Sequence, residues 1–561
     1  MKIQIDNKKK TIIIAIHILL TFLFERLIFV FSWDNILFRT TQPKNYILGD
    51  KTEMIMVYIL SKICSIVIIV LLWKLIFLIK EKRIRKDVIK CFGSIFLVGL
   101  IIGVIVFPDN FGMEVDNYGV YALAIRFLPT YWHSIYTGII YAGCLMVLPN
   151  PISIFIFQWL LLIVVIAYIY NGISELTNGN SIKYIPLVLL LVPETYELVF
   201  NAYRNNYYTI ICMFYFSYIF FYFQNKKGNR INISIIFLSC FIMIWRTEGI
   251  IIGVFGLFFM ICFCMKISKK ELFKICILCI VIFSVLNGIQ NIGAKKYYGK
   301  DYQIVSTINV LNNILNDEKA IITKSEIDKI NACVPAQIIK ETGIDGYRNY
   351  NYLMGRKDGN QTLMSESDST NYISSYYSIV KNNFVDYIYK QISSYFYCID
   401  FPFVDKTHIF QGKPTIVLPQ YTDLRNIEGR DDILGVWLVG KWDKNEVRKS
   451  ISVVIRNTCY SWQLFIKTTH IGTLYRMLVM LGIIRMFTYE LTCFVKKTDY
   501  NIYGLIMSLG IILELLAVIA FMPEGRLYYL FPMMYSAFWV IAFNTIDIRA
   551  LRLINKGDVD D

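Results

Sequence analysis

The sequence predicts an all-α polytopic membrane protein of about twelve transmembrane helices, carrying one extracytoplasmic, mainly helical domain. Three observations predict it. Apolar runs long enough to cross a bilayer recur along the chain. Of its 561 residues, 56% are hydrophobic and only 18% charged, against roughly 45–50% apolar content in a soluble domain. The basic residues gather in short clusters at the ends of the apolar runs, the pattern of cytoplasmic loops. The formal charge of +15 therefore reads as a topology signal, and no nucleic-acid partner is expected.

Crossing the hydrocarbon core takes about 17–25 apolar residues. The first run, 12–32, follows Lys8, Lys9 and Lys10; no small-residue cleavage site comes after it, so it reads as a retained span rather than a signal peptide. Further spans are expected at 54–79, 91–107, 152–170, 184–200, 207–223, 231–245, 249–265, 272–290, 472–495, 502–521 and 528–544. The stretch 134–148 is too short and is bounded by Pro129 and Pro149, which makes it a juxtamembrane or re-entrant piece. With the N-terminus inside, the clusters "KEKRIRKDVIK", "NKKGNR", "KISKKELFK", Lys496 with Lys497, and Arg549, Arg552 and Lys556 all fall on the cytoplasmic side. Promoting 134–148 to a full span would move every later cluster outside.

The chain then divides into a membrane domain over 1–290, with its first long outer loop at 108–151, an extracytoplasmic domain over 291–471, and C-terminal membrane hairpins with a cytoplasmic tail over 472–561. The middle region is too long for a structureless loop. Helical patterning is expected at 325–339 and 375–396, a mixed Pro/Gly/β-rich part at 401–440, and an amphipathic stretch at about 447–467. Thirteen cysteines lie mostly inside apolar spans, and neither a zinc site nor a disulfide framework is expected. The three in the outer domain, Cys333, Cys398 and Cys459, are odd in number, leaving at least one thiol unpaired. No phosphate-cradling glycine loop occurs.

The threading collects the unusual polar residues at one membrane boundary. Glu114, Asp116 and His133 lie in the first long outer loop, and Glu194, Glu197 and Arg204 in "VPETYELVFNAYRNNYY". Arg246 and Glu248 form the turn of one hairpin, and Glu524 and Arg526 that of another. Charges that a bilayer rejects are usually kept for function. An interfacial ion pair or an arginine snorkelling to lipid phosphate would explain Arg246, Glu248 and Arg526 equally well, whereas Glu25, Arg26 and Glu514, inside spans, read as helix-packing polar residues.

Taken in order, "EVDNYGVY", "YWHSIYTGIIYAG", "ISIFIFQWLLL", "LVPETYELVFNAYRNNYY", "WRTEG" and "RLYYLFP" resemble the GT-C superfamily of integral-membrane glycosyltransferases. The resemblance covers about 91–265 and the last hairpin. Ser134 stands where the family has Pro after His, and the first outer loop lacks the family's paired acidic signature. The resemblance implies transfer of a sugar from a polyprenyl-phosphate carrier to a glycan, lipid or protein acceptor on the outer face of the membrane; the Lys/Asn/Ile/Tyr-rich usage and the three outer-domain cysteines point to a bacterial plasma membrane. The resemblance also implies Asp116, or alternatively Glu114, as general base on the acceptor hydroxyl. Arg246, Arg526 and Arg204 would then hold the departing lipid phosphate, with His133, Glu248, Tyr528 and Trp245 lining the substrate. No cofactor is expected; a divalent cation is compatible with the chemistry, and nothing visible requires one.

Two other readings compete. An O-antigen ligase or polymerase would use Arg348, Arg356, Arg425, Arg430 and His408 of the outer domain, leaving the acidic first loop idle. A transporter of lipid-linked glycans would be expected to carry inverted repeats and helices broken at the midplane, whereas the polar residues here cluster at one boundary.

Overall fold

A computed structural model describes residues 7–28, 51–106, 120–121, 123–130, 134–150, 152–177, 181–192, 195, 204–224, 232–263, 269–292, 304–343, 366–399, 401, 446–521 and 529–557. Among the described residues every regular element is helical. The principal helices are α1 (Asn7–Ile28), α2 (Lys51–Lys80), α3 (Lys86–Val106), α4 (Ile135–Val147), α5 (Ile152–Leu176), α6 (Arg204–Gln224), α7 (Ile233–Trp245), α8 (Gly249–Phe263) and α9 (Lys269–Gln290). After them come α10 (Ile308–Leu315), α11 (Lys324–Asn331), α12 (Glu366–Asn382), α13 (Phe384–Cys398), α14 (Glu446–Thr468), α15 (Ile471–Val495), α16 (Ile502–Phe521) and α17 (Phe531–Gly557).

Six helices, at Lys51–Lys80, Lys86–Ile105, Ile152–Leu176, Lys269–Gln290, Ile471–Val495 and Ile502–Phe521, are long and apolar enough to cross a membrane. They mark a multi-pass membrane protein. Shorter apolar helices at Ile135–Val147, Ile233–Trp245, Gly249–Ile261 and Phe531–Ile546 complete the bundle, so length and composition alone do not reach twelve spans. Of the expected span at 184–200, the described part, 184–192 and Thr195, takes a different form. Ser181–Tyr184, Ile185–Val188 and Leu189–Leu191 are short 3-10 and α pieces, and Pro186 and Pro193 each remove a backbone donor that a continuous helix would need. Instead, the Thr195 hydroxyl bonds the Leu189 carbonyl and lies 2.7 Å from Tyr535 Oη.

Helix direction follows from side-chain contacts. Tyr207 Oη donates to the Ile154 carbonyl at 3.0 Å, and Tyr168 meets Phe221, so α5 and α6 run side by side in one direction. Arg85, just before α3, donates to Ser174 Oγ at the end of α5 at 2.9 Å. Lys10 pairs with Glu81 beyond the end of α2. Tyr503, at the start of α16, donates to the Phe216 carbonyl of α6 at 3.2 Å. The Lys10, Arg85 and Lys496–Lys497 clusters thus share one end of the bundle. Glu490 closes that end: its carboxylate accepts from the Asn501 N–H (2.7 Å) and Asn544 Nδ2 (3.0 Å).

Helix α4 is short, as expected, but it occupies the interior of the bundle rather than its margin. All its residues except Ile140 are buried, and it packs along α2 with α1 and α5 beside it. Its N-terminus is fixed to the far end of α9, where Gln290 Oε1 accepts from the Ile135 N–H at 3.1 Å and Tyr136 Oη donates to the Leu286 carbonyl at 2.7 Å. Gly143 permits the close approach to α2. A Cβ there would lie 3.1 Å from Cys64 Sγ and 3.3 Å from the Ser65 nitrogen, the small-residue device of membrane helix packing.

Polar residues also pin α1 to α2. Lys62 pairs with Glu25 and donates to Thr21 Oγ1 at 2.6 Å, and Tyr58 Oη donates to Glu25 at 3.2 Å. One turn back along α1 from Thr21, His17 Nδ1 accepts from Trp73 Nε1 at 3.0 Å. Removing one member of a buried ion pair strands the other charge, at a cost of about 3–5 kcal/mol. Lys62→Met is therefore expected to lower the midpoint of thermal unfolding markedly in detergent, and adding Glu25→Leu to recover most of the loss. An unchanged midpoint for Lys62→Met would contradict this account of the α1–α2 contact.

The region after α9 has its own small core of Ile304, Ile308, Leu311, Ile314, Ile330, Val334, Ile339, Tyr372 and Ile379. A capping box of Thr323 and Glu326 starts α11. The expected helix at 375–396 is two helices, because Asn383 interrupts it and spends its amide on the Ile321 carbonyl at 3.0 Å and the Ile321 N–H at 2.8 Å. Lys390 holds Asp386 (2.5 Å) and the Asn313 carbonyl (3.1 Å). This unit rests on the end of α16: Tyr387 Oη and Gln391 Nε2 (3.2 Å) both donate to the Ala520 carbonyl, one of the acceptors a helix end leaves unpaired. It therefore lies at the end of the bundle away from the basic clusters.

Candidate functional site

The α7–α8 hairpin is built from three residues. Arg246 leaves the helix in an extended conformation (φ −139°, ψ 149°), and the N–H groups of Gly249 and Ile251 return to the carbonyls of Arg246 (3.0 Å) and Glu248 (3.1 Å), restarting the helix at once. Position 249 requires glycine because a Cβ would run into the Ile242 carbonyl and the Tyr208 hydroxyl. The turn thereby holds Arg246 against the first turn of α6, while α8 packs along α16.

Arg246 is buried, 8% exposed. One guanidinium nitrogen pairs with Glu248 and another donates to Asn205 Oδ1. Its carbon lies 5.6 Å from the Tyr208 ring centre and 5.8 Å from that of Tyr529, within cation–π range. Glu514 of α16 is 0% exposed, and neither of its carboxylate oxygens has a hydrogen-bond partner among the described residues. It lies within electrostatic range of Arg246, Glu248, Tyr208 and Cys212. Trp245 Nε1 is buried and equally without a partner among the described residues. Leaving such groups unpaired costs about 1–3 kcal/mol each. One guanidinium and two carboxylates thus converge towards the end of the bundle opposite the basic clusters.

Of the residues singled out from sequence, Arg246 and Glu248 meet here as an ion pair. Arg204 opens α6 beside Asn205, but its side chain lies outside the described residues, as do Glu114, Asp116, His133, Arg526 and Tyr528 altogether. The segments bordering them do reach the site. Tyr136 at the start of α4 stacks on Trp245 (6.3 Å, 26°), and Tyr529 faces Arg246. The outer-domain residues Arg348, Arg356, His408, Arg425 and Arg430 also lie outside the described residues.

Sequence reasoning missed Asn205 and Tyr208, whose signal is the polar run "RNN" entering an apolar helix. It also read Glu514 as a packing residue, although a lone carboxylate in an apolar run is itself a signal. The reading of the sequence as having no Cys-x-x-Cys pair is incorrect: Cys276 and Cys279 have that spacing. The pair lies within α9, where Cys279 offers its carbonyl to Cys240 Sγ at 3.7 Å. Among the described residues, no group of three or more His, Cys, Asp or Glu side chains is placed to hold a metal ion. Cys333 and Cys398 are buried, and the side chain of Cys459 lies outside the described residues.

No family model matches the chain, and neither does any curated protein or solved structure.

Proposed function

We propose that this protein is a membrane glycosyltransferase that moves a sugar from a polyprenyl-phosphate carrier to a cell-envelope acceptor on the outer face of the plasma membrane, as the GT-C resemblance implies. The observation that carries the reading is the buried Arg246, flanked by aromatic rings and by polar groups with no partner of their own among the described residues. A lipid phosphate brings the charge and acceptor oxygens that a guanidinium recognises bidentately. A sugar brings hydroxyl donors, of which the Glu514 oxygens have none among the described residues, together with a face for the rings of Tyr208, Trp245 and Tyr529. The charge rule sets the basic end of the bundle, with both termini, in the cytoplasm, and the Arg246 end outside. Twelve crossings follow if α1, α6, α7, α8, α17 and the stretch from Ser181 to Arg204 traverse the membrane together with the six long helices, α4 not crossing.

In the step so proposed, the acceptor hydroxyl oxygen bonds to the anomeric carbon while the bond from that carbon to the carrier phosphate breaks. The hydroxyl proton passes to Asp116, with Glu114 as the alternative base, and the electron pair leaves on the phosphate, held by Arg246 together with Arg526 and Arg204. His133, Glu248 and Tyr528 border the sugar. Arginine is suited to this because its charge is fixed and it acts on the developing anion without reorganising.

The experiment is direct. Purified protein in nanodiscs, given polyprenyl-phosphate donors carrying labelled sugars and a membrane extract as acceptor, is expected to release free polyprenyl phosphate and label the extract. Arg246→Lys should slow both by at least about tenfold, because the bidentate fork is lost. Failure of the wild-type protein to consume any phosphate-linked donor, while carrying lipid-linked glycan across a vesicle membrane, would replace the transferase with a transporter.

A further inference from the structure

Helix α14 (Glu446–Thr468) belongs neither to the six long apolar helices nor to the small helical core. Val447, Ile451, Val454, Trp462 and Phe465 recur at spacings that place them on one face of an α-helix. All five are exposed, Val447 to 68% and Val454 to 64%. Trp462 and Phe465 stack on that face (5.7 Å, 18°). Lys449, Arg456 and Lys467 fall in the sequence about half a turn away from it.

The junction with α15 fixes where this face can go. Thr469 and His470 alone separate α14 from α15, an apolar helix long enough to cross a membrane. The Thr469 N–H bonds the Phe465 carbonyl at 3.0 Å, His470 takes a left-handed conformation (φ 55°), and Ile466, buried, would be 3.0 Å from a Cβ at Gly472. The end of α14 is therefore folded onto the mouth of a span. It packs on α15 and on α3, another apolar helix of membrane length. A 23-residue helix is about 35 Å long, and one anchored at both these contacts keeps its stripe at the level of the bilayer. An apolar face carrying Trp and Phe, with Lys and Arg on the other side, is the composition of a helix lying in the headgroup–acyl boundary.

We infer that α14 is an interfacial helix whose Val447–Ile451–Val454–Trp462–Phe465 face is immersed in the lipid leaflet at the Arg246 end of the bundle, the bilayer itself being its partner. An interfacial α14 stands whether or not the chain is a transferase. Among the described residues of 291–471, it separates a helical unit seated on α16 from a membrane-bound strap leading into α15.

The test uses the full chain in lipid vesicles, with the photo-crosslinking residue p-benzoylphenylalanine placed singly at Val454, Trp462 or Phe465. Leu478, exposed on the span α15, serves as the lipid-facing reference, and Lys329, exposed on α11, as the water-facing one. Irradiation followed by intact-protein mass spectrometry is expected to give phospholipid adducts at the three α14 positions in a yield within about threefold of Leu478, and none at Lys329. Absence of lipid adducts at all three positions while Leu478 reacts would overturn the inference. Crosslinks from them to another polypeptide in place of lipid would overturn it as well, by showing a protein on the face.

Discussion

Replacing Arg246 by Ala is expected to disable carrier binding and to destabilise the bundle together. The side chain is buried between Glu248 and Asn205, with Glu514 within electrostatic range. Its removal strands carboxylates in an apolar interior, where breaking a buried pair costs about 3–5 kcal/mol. A drop in binding by Arg246→Ala alone would therefore not separate a phosphate site from a structural pin. Arg246→Lys keeps the charge, and Arg246→Met combined with Glu248→Gln removes the pair as a unit. Both are expected to fold and enter the membrane better than Arg246→Ala. Both should still lose affinity for polyprenyl phosphate, by about tenfold or more, since a charge-assisted contact contributes roughly 1.5–3 kcal/mol. Thermal unfolding in detergent and carrier titration on the same preparations read the two effects separately. Full carrier affinity in the Met/Gln pair would return Arg246 to a purely structural role.

Asn at position 116 is expected to leave expression and carrier binding intact while lowering sugar transfer by about 10²–10⁴-fold, the usual contribution of general acid–base catalysis. Asn is close to isosteric with Asp but cannot accept the acceptor's proton. Glu114→Gln should cost less. The segment carrying Asp116, which the charge pattern predicts to be the first long outer loop, leads into α4, whose Tyr136 stacks on Trp245; this motivates the assignment. Glu514→Gln offers a contrast. It replaces a buried carboxylate that has no hydrogen-bond partner among the described residues, so stability should hold or rise, while transfer should fall if the carboxylate takes donors from the sugar. Initial rates at saturating donor distinguish the variants, and near-normal turnover in Asp116→Asn would direct attention to the outer-domain arginines.

Much of the membrane architecture is legible because bilayer burial selects long apolar runs, and such runs survive in the sequence whatever surrounds them. Helices α2, α3, α5, α9, α15 and α16 fall where their runs predict. The amphipathic period at 447–467 likewise marks α14 to within a residue or two. Local chemistry displaces other boundaries. Short 3-10 and α pieces around Pro186 break the described start of what hydropathy alone reads as a span, and Asn383 divides what reads as one helix, because its amide is committed to Ile321. Helix α4 shows a different limit: its length is readable, but its central place depends on Gln290, Gly143 and Cys64, which are distant in sequence. The site divides in the same way. Arg246 and Glu248 are visible as charges at a tight hairpin, whereas the places of Asn205, Tyr208 and Glu514 emerge only once α6, α8 and α16 are brought together.

The decisive measurement is the binding of polyprenyl phosphate and of the uncharged polyprenol to the same purified protein, followed by native mass spectrometry or by thermal stabilisation. A carrier held through a buried guanidinium should bind the phosphate at least about tenfold more tightly than the alcohol, and Arg246→Lys should erase most of that difference while leaving the weaker binding of the alcohol unchanged. Equal binding of the two lipids, or a preference for the phosphate that survives Arg246→Lys, would contradict the assignment of this site.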